Sequence, residues 1–571
     1  MVNDETLYFQ ETYLLSELFR SGKWIGAYGV GLHGFISKIP PALVFLITGP
    51  SVAVVTVYHI ILTAVIGVLG YRLFSYIFKN KLCGILATAI LFTNFHFILS
   101  AVTYYREIPS ILVILLLLNH VIRKGNKYIL SLLFLLLFDV KEYVFFVFAL
   151  AYVIWLFIES EEDSFFKKSW DVIKKSIIIF LPSIIWTVVM FTTNLIPVNM
   201  FLASIIGLKD NAFRYLIQHF ETTTSTFNAL VGGRNIYQIV IQENWNPVVK
   251  GVCAVINVLL SYIGKLLYPR VFSFLSVPKV VILPVVFSTI VTLKKYVKES
   301  KKKIKHYAFF SLFIIVWLIV YLLRASHGRY LLPIVPMISV MYVYLLFKQK
   351  LSKKQKVGLV IATFLYISAG LLFETTYILP KAILEYSIFA VFTTILFRPK
   401  LEILKYLLVG MVSVASLATA LLFSYVQGQV YGYLNFGRNR RADRIAELAP
   451  DNQKYWTNSY KNLDLISTLN GERYLDPEWK WKLNDIVPIR ENLKTLGEKQ
   501  AYSFPISDFE EFRSSISLYD IDKLILITTE EDSDNFPNQE YLDDFMKVEW
   551  LDLDKKVDYT NMTIYIFTVK K

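Results

Sequence analysis

Long apolar runs alternate with short charged ones along most of this chain. Runs long enough to cross a bilayer, or nearly so, fall at about 51–74, 82–102, 108–122, 128–138, 143–158, 176–195, 277–293, 307–323, 331–347, 357–374, 381–397 and 406–426, against the roughly 20 residues a spanning helix needs. The pattern predicts about twelve membrane-spanning helices, several of them short. Lys and Arg concentrate in the alternate loops 72–81, 123–127, 159–175, 294–306, 348–356 and 398–405, and loops of that kind stay in the cytoplasm. Residues 1–45, the turns near 103–107, 139–142 and 324–330, the long segment 196–276 and everything after 427 are therefore expected outside.

The pattern changes at both ends of the membrane part. Leu7, Leu14, Leu15, Leu18 and Phe19 make a helical apolar stripe, with Glu11 and Glu17 read as lying off it, as in an amphipathic helix resting on the membrane surface. Segment 196–276 holds polar helical stretches such as DNAFRYLIQHF and a Gly-rich turn, VGGRN, and is expected to form a folded cap. After 427 the periods alternate: helices near RNRRADRIAELA, LDLISTL and NQEYLDDFM, and strands near KYWTN, IDKLILITT and MTIYIFTV. The expected architecture is an all-α polytopic transmembrane bundle with extracytoplasmic amphipathic helices over 1–426, followed by a small soluble α/β domain over 427–571.

Composition fits that division. The chain has 571 residues, 55% hydrophobic and 18% charged, with a mean hydropathy of +0.49, a balance outside the range of soluble domains. Its net charge of +14 divides near 427 into about +21 before and about −7 after. The positive charge sits in the loops between apolar runs, so it reports membrane orientation and gives no reason to expect a nucleic-acid partner. Cys83 and Cys253 fall on opposite sides of the membrane in this map, which argues against a disulfide framework.

Four outward stretches carry candidate chemistry. Asp4-Glu5 begins the first helix, where Asp4 is either a cap or a functional carboxylate. Arg106 and Glu107 stand at the outer end of a span in TYYREIP. Asp139, Lys141 and Glu142 lie between two short apolar runs in FDVKEYVFF, a depth at which ionisable groups are costly and usually functional. Arg324, His327 and Arg329 in RASHGRYLLPIVP violate the positive-inside bias, and cations on the wrong side suit an anion such as a phosphate. Carboxylates and cations on one outer face are what sugar transfer from a phosphate requires. A base takes the acceptor proton, and cations or a metal stabilise the charge on the departing phosphate. Asp520-Ile-Asp522 and Asp552-Leu-Asp554 have the DxD form of a metal site but lie beside strands of the acidic tail, where solvated strand edges explain them. His33, His96, His219 and His327 lack paired metal-ligand spacing.

In Asp4-Glu5 with Tyr8, Arg106-Glu107-x-Pro109, Lys141-Glu142 and Arg329-Tyr330-Leu331-Leu332-Pro333-x-x-Pro336, taken in that order and on that face, the chain resembles the GT-C membrane glycosyltransferases. Within that class it looks like the group of protein O-mannosyltransferases and aminoarabinose transferases. The resemblance covers about 1–426 and not the tail. It implies an inverting transferase of the plasma membrane that uses a polyprenyl-phosphate-linked sugar and acts on a lipid, glycan or protein acceptor. It implies further that Asp4, with Glu5 beside it, is the base or a divalent-metal-linked carboxylate and that Glu107 is the second acidic group. Lys141, Arg329, Arg106, Tyr330 and His327 would then serve the donor phosphate. In that family a transmembrane helix precedes the first acidic loop, so a further span is expected upstream of Met1.

Three other readings stay open. A lipid or glycan flippase shares the many spans and intramembrane charges, although no pseudo-symmetric pair of broken helices is evident in the sequence. A ligase joining whole lipid-linked glycans shares the chemistry, and an inactive glycan-binding relative shares the fold. The transferase reading makes one sharp demand: Asp4→Asn, which removes a base at almost constant volume, should abolish transfer in a folded protein. Full activity of that variant in a membrane assay would remove Asp4 from the mechanism.

Overall fold

The computed structural model describes residues 3–20, 22, 34–162, 164–192, 278–299, 304–324, 328–372, 378–430, 448, 454–457, 473–475, 500–502, 509–518, 520–528, 539–559 and 562–570. The proposed cap over 196–276, the tail helices at RNRRADRIAELA and LDLISTL, and His33, His219, Cys253 and His327 lie wholly or almost wholly outside these residues.

Two helices come first, α1 (Asn3–Arg20) and α2 (Phe35–Thr48). The membrane part follows with α3 (Val52–Phe78), α4 (Lys81–Phe92), α5 (Phe95–Val102), α6 (Glu107–Ile122), α7 (Lys127–Val140), α8 (Glu142–Glu159) and α9 (Phe165–Thr192). It continues with α10 (Lys279–Glu299), α11 (Lys305–Arg324), a 3-10 segment (Gly328–Ile334), α12 (Val335–Phe347), α13 (Lys353–Leu372), α14 (Ile378–Phe397) and α15 (Glu402–Val430). Over its described residues every apolar run is helical, with one break, at Thr93-Asn94. By length and composition, however, four described helices are able to cross a membrane alone, or five if α4 and α5 form one span, so the count of twelve remains an expectation.

The run 82–102, read as one span, is broken by a 69° bend between α4 and α5. Asn94 is the cause: its side chain accepts from the Phe97 N–H at 3.2 Å and caps a new helix, ending the old one at Thr93. The run 331–347 likewise opens as a 3-10 segment containing Pro333 before Val335–Phe347 becomes α-helical, because prolines at 333 and 336 supply no N–H to an α-helical ladder.

One large core joins α3 to α15. The exterior is also apolar: α3 buries Val55, Ile66, Leu73 and Phe74 on one side and exposes Val57, Ile60, Ile61 and Val68 on the other. An unbroken exposed stripe of that kind belongs against lipid rather than water.

The tail forms a six-stranded sheet of β1 (Lys454–Thr457), β2 (Arg473–Leu475), β3 (Gln500–Tyr502), β4 (Lys523–Thr528), β5 (Leu551–Tyr559) and β6 (Met562–Val569), in the order β2-β3-β1-β4-β6-β5. β1 to β4 pair in parallel, and β6 runs antiparallel between β4 and β5. β5 was not legible as a strand, because LDLDKKVDY is mostly charged, as an edge strand must be to discourage pairing with another chain. Both DxD pairs are held by lysines: Lys454 bridges Asp520, Lys570 bridges Asp552, and Lys523 binds Asp554 together with Thr568. The Lys523 hydrogen bond, with that of Thr568, holds the Asp554 carboxyl below the usual carboxylate range.

Both faces of this sheet are apolar. Trp456, Leu524, Leu526, Tyr565 and Phe567 pack with Phe512, Ile516, Leu542 and Phe545 from helices α16 (Phe509–Leu518) and α17 (Gln539–Lys547). The alternate residues Tyr455, Ile525, Ile564 and Ile566 join a cluster with Phe9, Phe45, Val55 and Tyr104 of the membrane part. Burial of each is worth about 1.5–3 kcal/mol as an upper estimate, so the tail is docked by a surface that water would disfavour. On the covered side, Trp456 lies 5.0 Å from Phe512 and 6.2 Å from Phe545 between ring centroids. Trp456→Ala should cost about 3–5 kcal/mol and, in the full chain, expose the tail to protease well before the membrane part; unchanged resistance would refute that packing.

Candidate active site

The charged residues meet where helices begin. Arg106 caps α6 and Glu107 is its first residue; Lys141 caps α8 and Glu142 is its first residue. Carboxylates in a first turn are favoured by the helix dipole, which accounts for both glutamates but not for the cations beside them. The cations pair crosswise: Arg106 Nη1 donates to Glu142 Oε2 at 3.1 Å, and Lys141 Nζ donates to Glu107 Oε1 at 2.5 Å. Arg106 also donates to the Val140 carbonyl at 3.2 Å, tying the end of α7 into the clasp. The side chains of Lys141 and Glu107 are 4% and 3% exposed, so the pair has lost its water.

Asp139 turns the other way. Its Oδ2 accepts the Ile36 N–H at 2.9 Å, supplying from α7 the carboxylate cap that Gly34 cannot give to α2. Gly34 is there for space and backbone: its φ is +87°, and a Cβ would stand 3.0 Å from Ser37 Oγ and 3.2 Å from both Arg106 Cδ and the Val140 oxygen.

Two charged residues escaped the sequence reading. Lys38 of α2 donates to the Glu11 carboxylate of α1, and both residues are buried. Glu11 was placed off the apolar stripe, but it lies four residues after Leu7 and four before Leu15 and is therefore on it. That spacing was the available signal. Lys38 was equally visible as the one charge in FISKIPPALVFLIT. Tyr8 joins the pairs: the Lys38 ammonium lies 5.6 Å and the Arg106 guanidinium 5.3 Å from its ring centroid, within cation–π range.

The site therefore gathers Lys38, Arg106 and Lys141 with Glu11, Glu107, Asp139 and Glu142 around Tyr8. The 3-10 segment carrying Arg329 and Tyr330 packs against α6; the side chains of Arg329 and Tyr330 are outside the described residues, as are those of Asp4 and Glu5 in α1. Among the described residues, no three His, Cys, Asp or Glu side chains converge as metal ligands, and the carboxylates named here are engaged by lysine, arginine or a backbone N–H. These residues do not by themselves fit a divalent cation. One donor stands out: the buried Arg106 Nε–H has no acceptor among the described residues, a cost that an anionic ligand would relieve.

No protein-family model matches the chain, and no curated protein does so either. Among solved structures it is similar to the crystal structure of ArnT from Cupriavidus metallidurans bound to undecaprenyl phosphate, at 10% identity over 98% of this chain and 93% of that chain, with a TM-score of 0.48. It is similar also to ArnT from the same organism in the apo state, at the same identity and coverage, with a TM-score of 0.46.

Breaking the buried pair from one side should cost far more than removing it whole. Lys141→Met strands Glu107, and Glu107→Leu strands Lys141, each at about 3–5 kcal/mol, whereas the double variant should recover most of that loss. A thermal-stability cycle on purified protein checks this, and additive losses would contradict the pairing.

Proposed function

We propose that this chain is an integral membrane glycosyltransferase that moves a sugar from a polyprenyl-phosphate carrier to an acceptor hydroxyl or amine on the outer face of the membrane, with inversion at the anomeric carbon. The observation that carries the reading is the meeting of three buried cations, Lys38, Arg106 and Lys141, near the starts of helices, with the Arg106 Nε–H lacking an acceptor among the described residues. Cations buried at the edge of a lipid-facing bundle suit a ligand that is anionic at one end and hydrocarbon at the other. A polyprenyl phosphate is both.

In this reading the phosphate approaches Arg106 through its unengaged Nε–H and competes with Glu107 for Lys141. Arg329 supplies further positive charge, which the site needs because the described groups otherwise sum to one net negative charge. Asp4 accepts the acceptor's proton as its oxygen or nitrogen bonds to the anomeric carbon. The bond from that carbon to the phosphate oxygen breaks, and the cations stabilise the phosphate that leaves. Lys38 orients the site through Glu11 and the Tyr8 ring, Tyr330 lies on the segment that carries Arg329, and His327 precedes that segment in the sequence. The outer location fits a lipid-linked donor, since nucleotide sugars are made in the cytosol. The tail then faces outward, and the plasma membrane is the expected compartment.

The test does not require knowing the sugar. Full-length protein in nanodiscs should retain a labelled polyprenyl phosphate at least tenfold better than the corresponding polyprenol, and Arg106→Gln should erase most of the difference. Labelled sugar on the same carrier should be transferred or hydrolysed at a rate that falls about 10²–10³-fold in that variant, the usual cost of one donor to developing charge. Equal retention of alcohol and phosphate would overturn the reading and favour a transporter of another cargo.

A further inference from the structure

We infer that the C-terminal α/β domain is a positioning element for the proposed reaction: the apolar face of its sheet seats α1 through Phe9, and so sets Tyr8 against Lys38 and Arg106. This inference rests on the function proposed above for what the positioning serves, but not for the positioning itself.

The argument begins with strand alternation. In β1, β4 and β6 successive residues point to opposite faces, and both faces are buried: Trp456, Leu524, Leu526, Tyr565 and Phe567 under α16 and α17, and Tyr455, Ile525, Ile564 and Ile566 in the cluster with the membrane part. A domain that needed only itself would carry polar residues on the second face. Its cover includes Phe9 of α1, Phe45 of α2, Val55 of α3 and Tyr104 of the turn before α6. Phe9 is fully buried and meets Phe45 edge-on at 5.5 Å between centroids.

Phe9 adjoins Tyr8, whose ring is within cation–π distance of both cations. Three residues on, Thr12 shares a buried 2.7 Å hydrogen bond with Tyr104. The Tyr104 ring in turn packs on buried His59, 5.2 Å between centroids, and His59 Nδ1 lies 3.1 Å from the Ser100 carbonyl oxygen. Along its length α1 therefore enters the sheet's apolar cluster at Phe9, and is tied to α2 through Glu11 and Lys38 and to the turn before α6 at Thr12. The sheet is the one of these three anchors that belongs to a different domain. Rotating α1 by one residue, about 100°, would carry Tyr8 away from the cations and would move Asp4 on the same helix equally far around its axis.

The experiment uses the full-length chain in nanodiscs and reads amide hydrogen exchange separately over 3–20 and over β4 and β6. Three variants are compared: Phe9→Ala, Phe9→Leu, and Ile525→Ser with Ile564→Ser, which leaves the tail's covered face intact. Phe9→Ala and the double variant should each speed exchange in α1 by about tenfold or more while β4 and β6 stay protected, and Phe9→Leu should restore most of the protection. Turnover of a polyprenyl-phosphate-linked sugar should fall with the loosening of α1 and return in Phe9→Leu, with kcat affected more than KM. Wild-type protection of α1 in Phe9→Ala would overturn the inference, as would loss of protection in β4 and β6 in step with α1 in that variant, since the coupling would then be global unfolding. Should the wild-type protein show no preference for the phosphate over the polyprenol, the functional reading fails, and the exchange result still decides whether the sheet seats α1.

Discussion

Everything where α6 and α8 begin depends on neutralising charge in a place with little water. An isolated ammonium or guanidinium there would cost several kcal/mol, so each cation has a carboxylate and each pair joins two chain segments: Lys38 to Glu11, Arg106 to Glu142, Lys141 to Glu107. The crossing of the last two pairs is the decisive constraint. Each helix start offers a cation followed by a glutamate, and because each cation is satisfied by the other helix, α6 and α8 cannot slide without stranding four charges. Asp139 extends the constraint to α2 by capping it, and Gly34 keeps the space in which that cap, the Arg106 stem and the Val140 carbonyl converge. A desolvated network of this kind contributes little net stability, but it discriminates sharply between one arrangement and its near neighbours.

The second constraint is apolar. The tail sheet has two buried faces and only enough helix of its own, among the described residues, to cover one. The membrane part supplies the other cover with α1, α2, α3 and the Tyr104 turn, which are also the elements that hold or adjoin the charged network. Tail sheet and bundle therefore meet over the same few helices. Apolar packing at Phe9 and the Glu11–Lys38 pair thus act on the same helix, α1.

How much of this the sequence discloses follows from the kind of signal each feature leaves. Apolar runs read cleanly because lipid demands continuous hydrophobicity, and each run is helix, yet the bend at Asn94 depends on one side chain finding one N–H and leaves no mark on hydropathy. Arg106-Glu107 and Lys141-Glu142 stand out because charges are rare at the ends of short apolar runs; that they pair across helices is a tertiary fact with no sequence period. Glu11 and Lys38 were missed for the opposite reason. Lys38 is a single charge inside an apolar helix, Glu11 is one of several in an amphipathic one, and only strict attention to the 3.6-residue period puts Glu11 on the buried face. β1, β4 and β6 announce themselves by apolar content, whereas β5 is hidden by the charge that an edge strand needs.

The pairing also restricts how an anion could enter. With every described carboxylate at the site already engaged and the described charges summing to minus one, a phosphate cannot simply be added; it must displace a carboxylate, or approach a donor that is not yet used. The geometry offers both routes close together: the Arg106 Nε–H, which has no acceptor among the described residues, and Lys141, whose carboxylate partner begins the same helix that Arg106 caps. Engagement of Lys141 by an outside anion would free Glu107 at the start of α6 while Arg106 remains anchored by Glu142 and the Val140 carbonyl. Arg106 thus stays tied to both Glu142 and the end of α7, so an exchange of carboxylate for phosphate at Lys141 would leave that tie, and with it the frame of the site, in place.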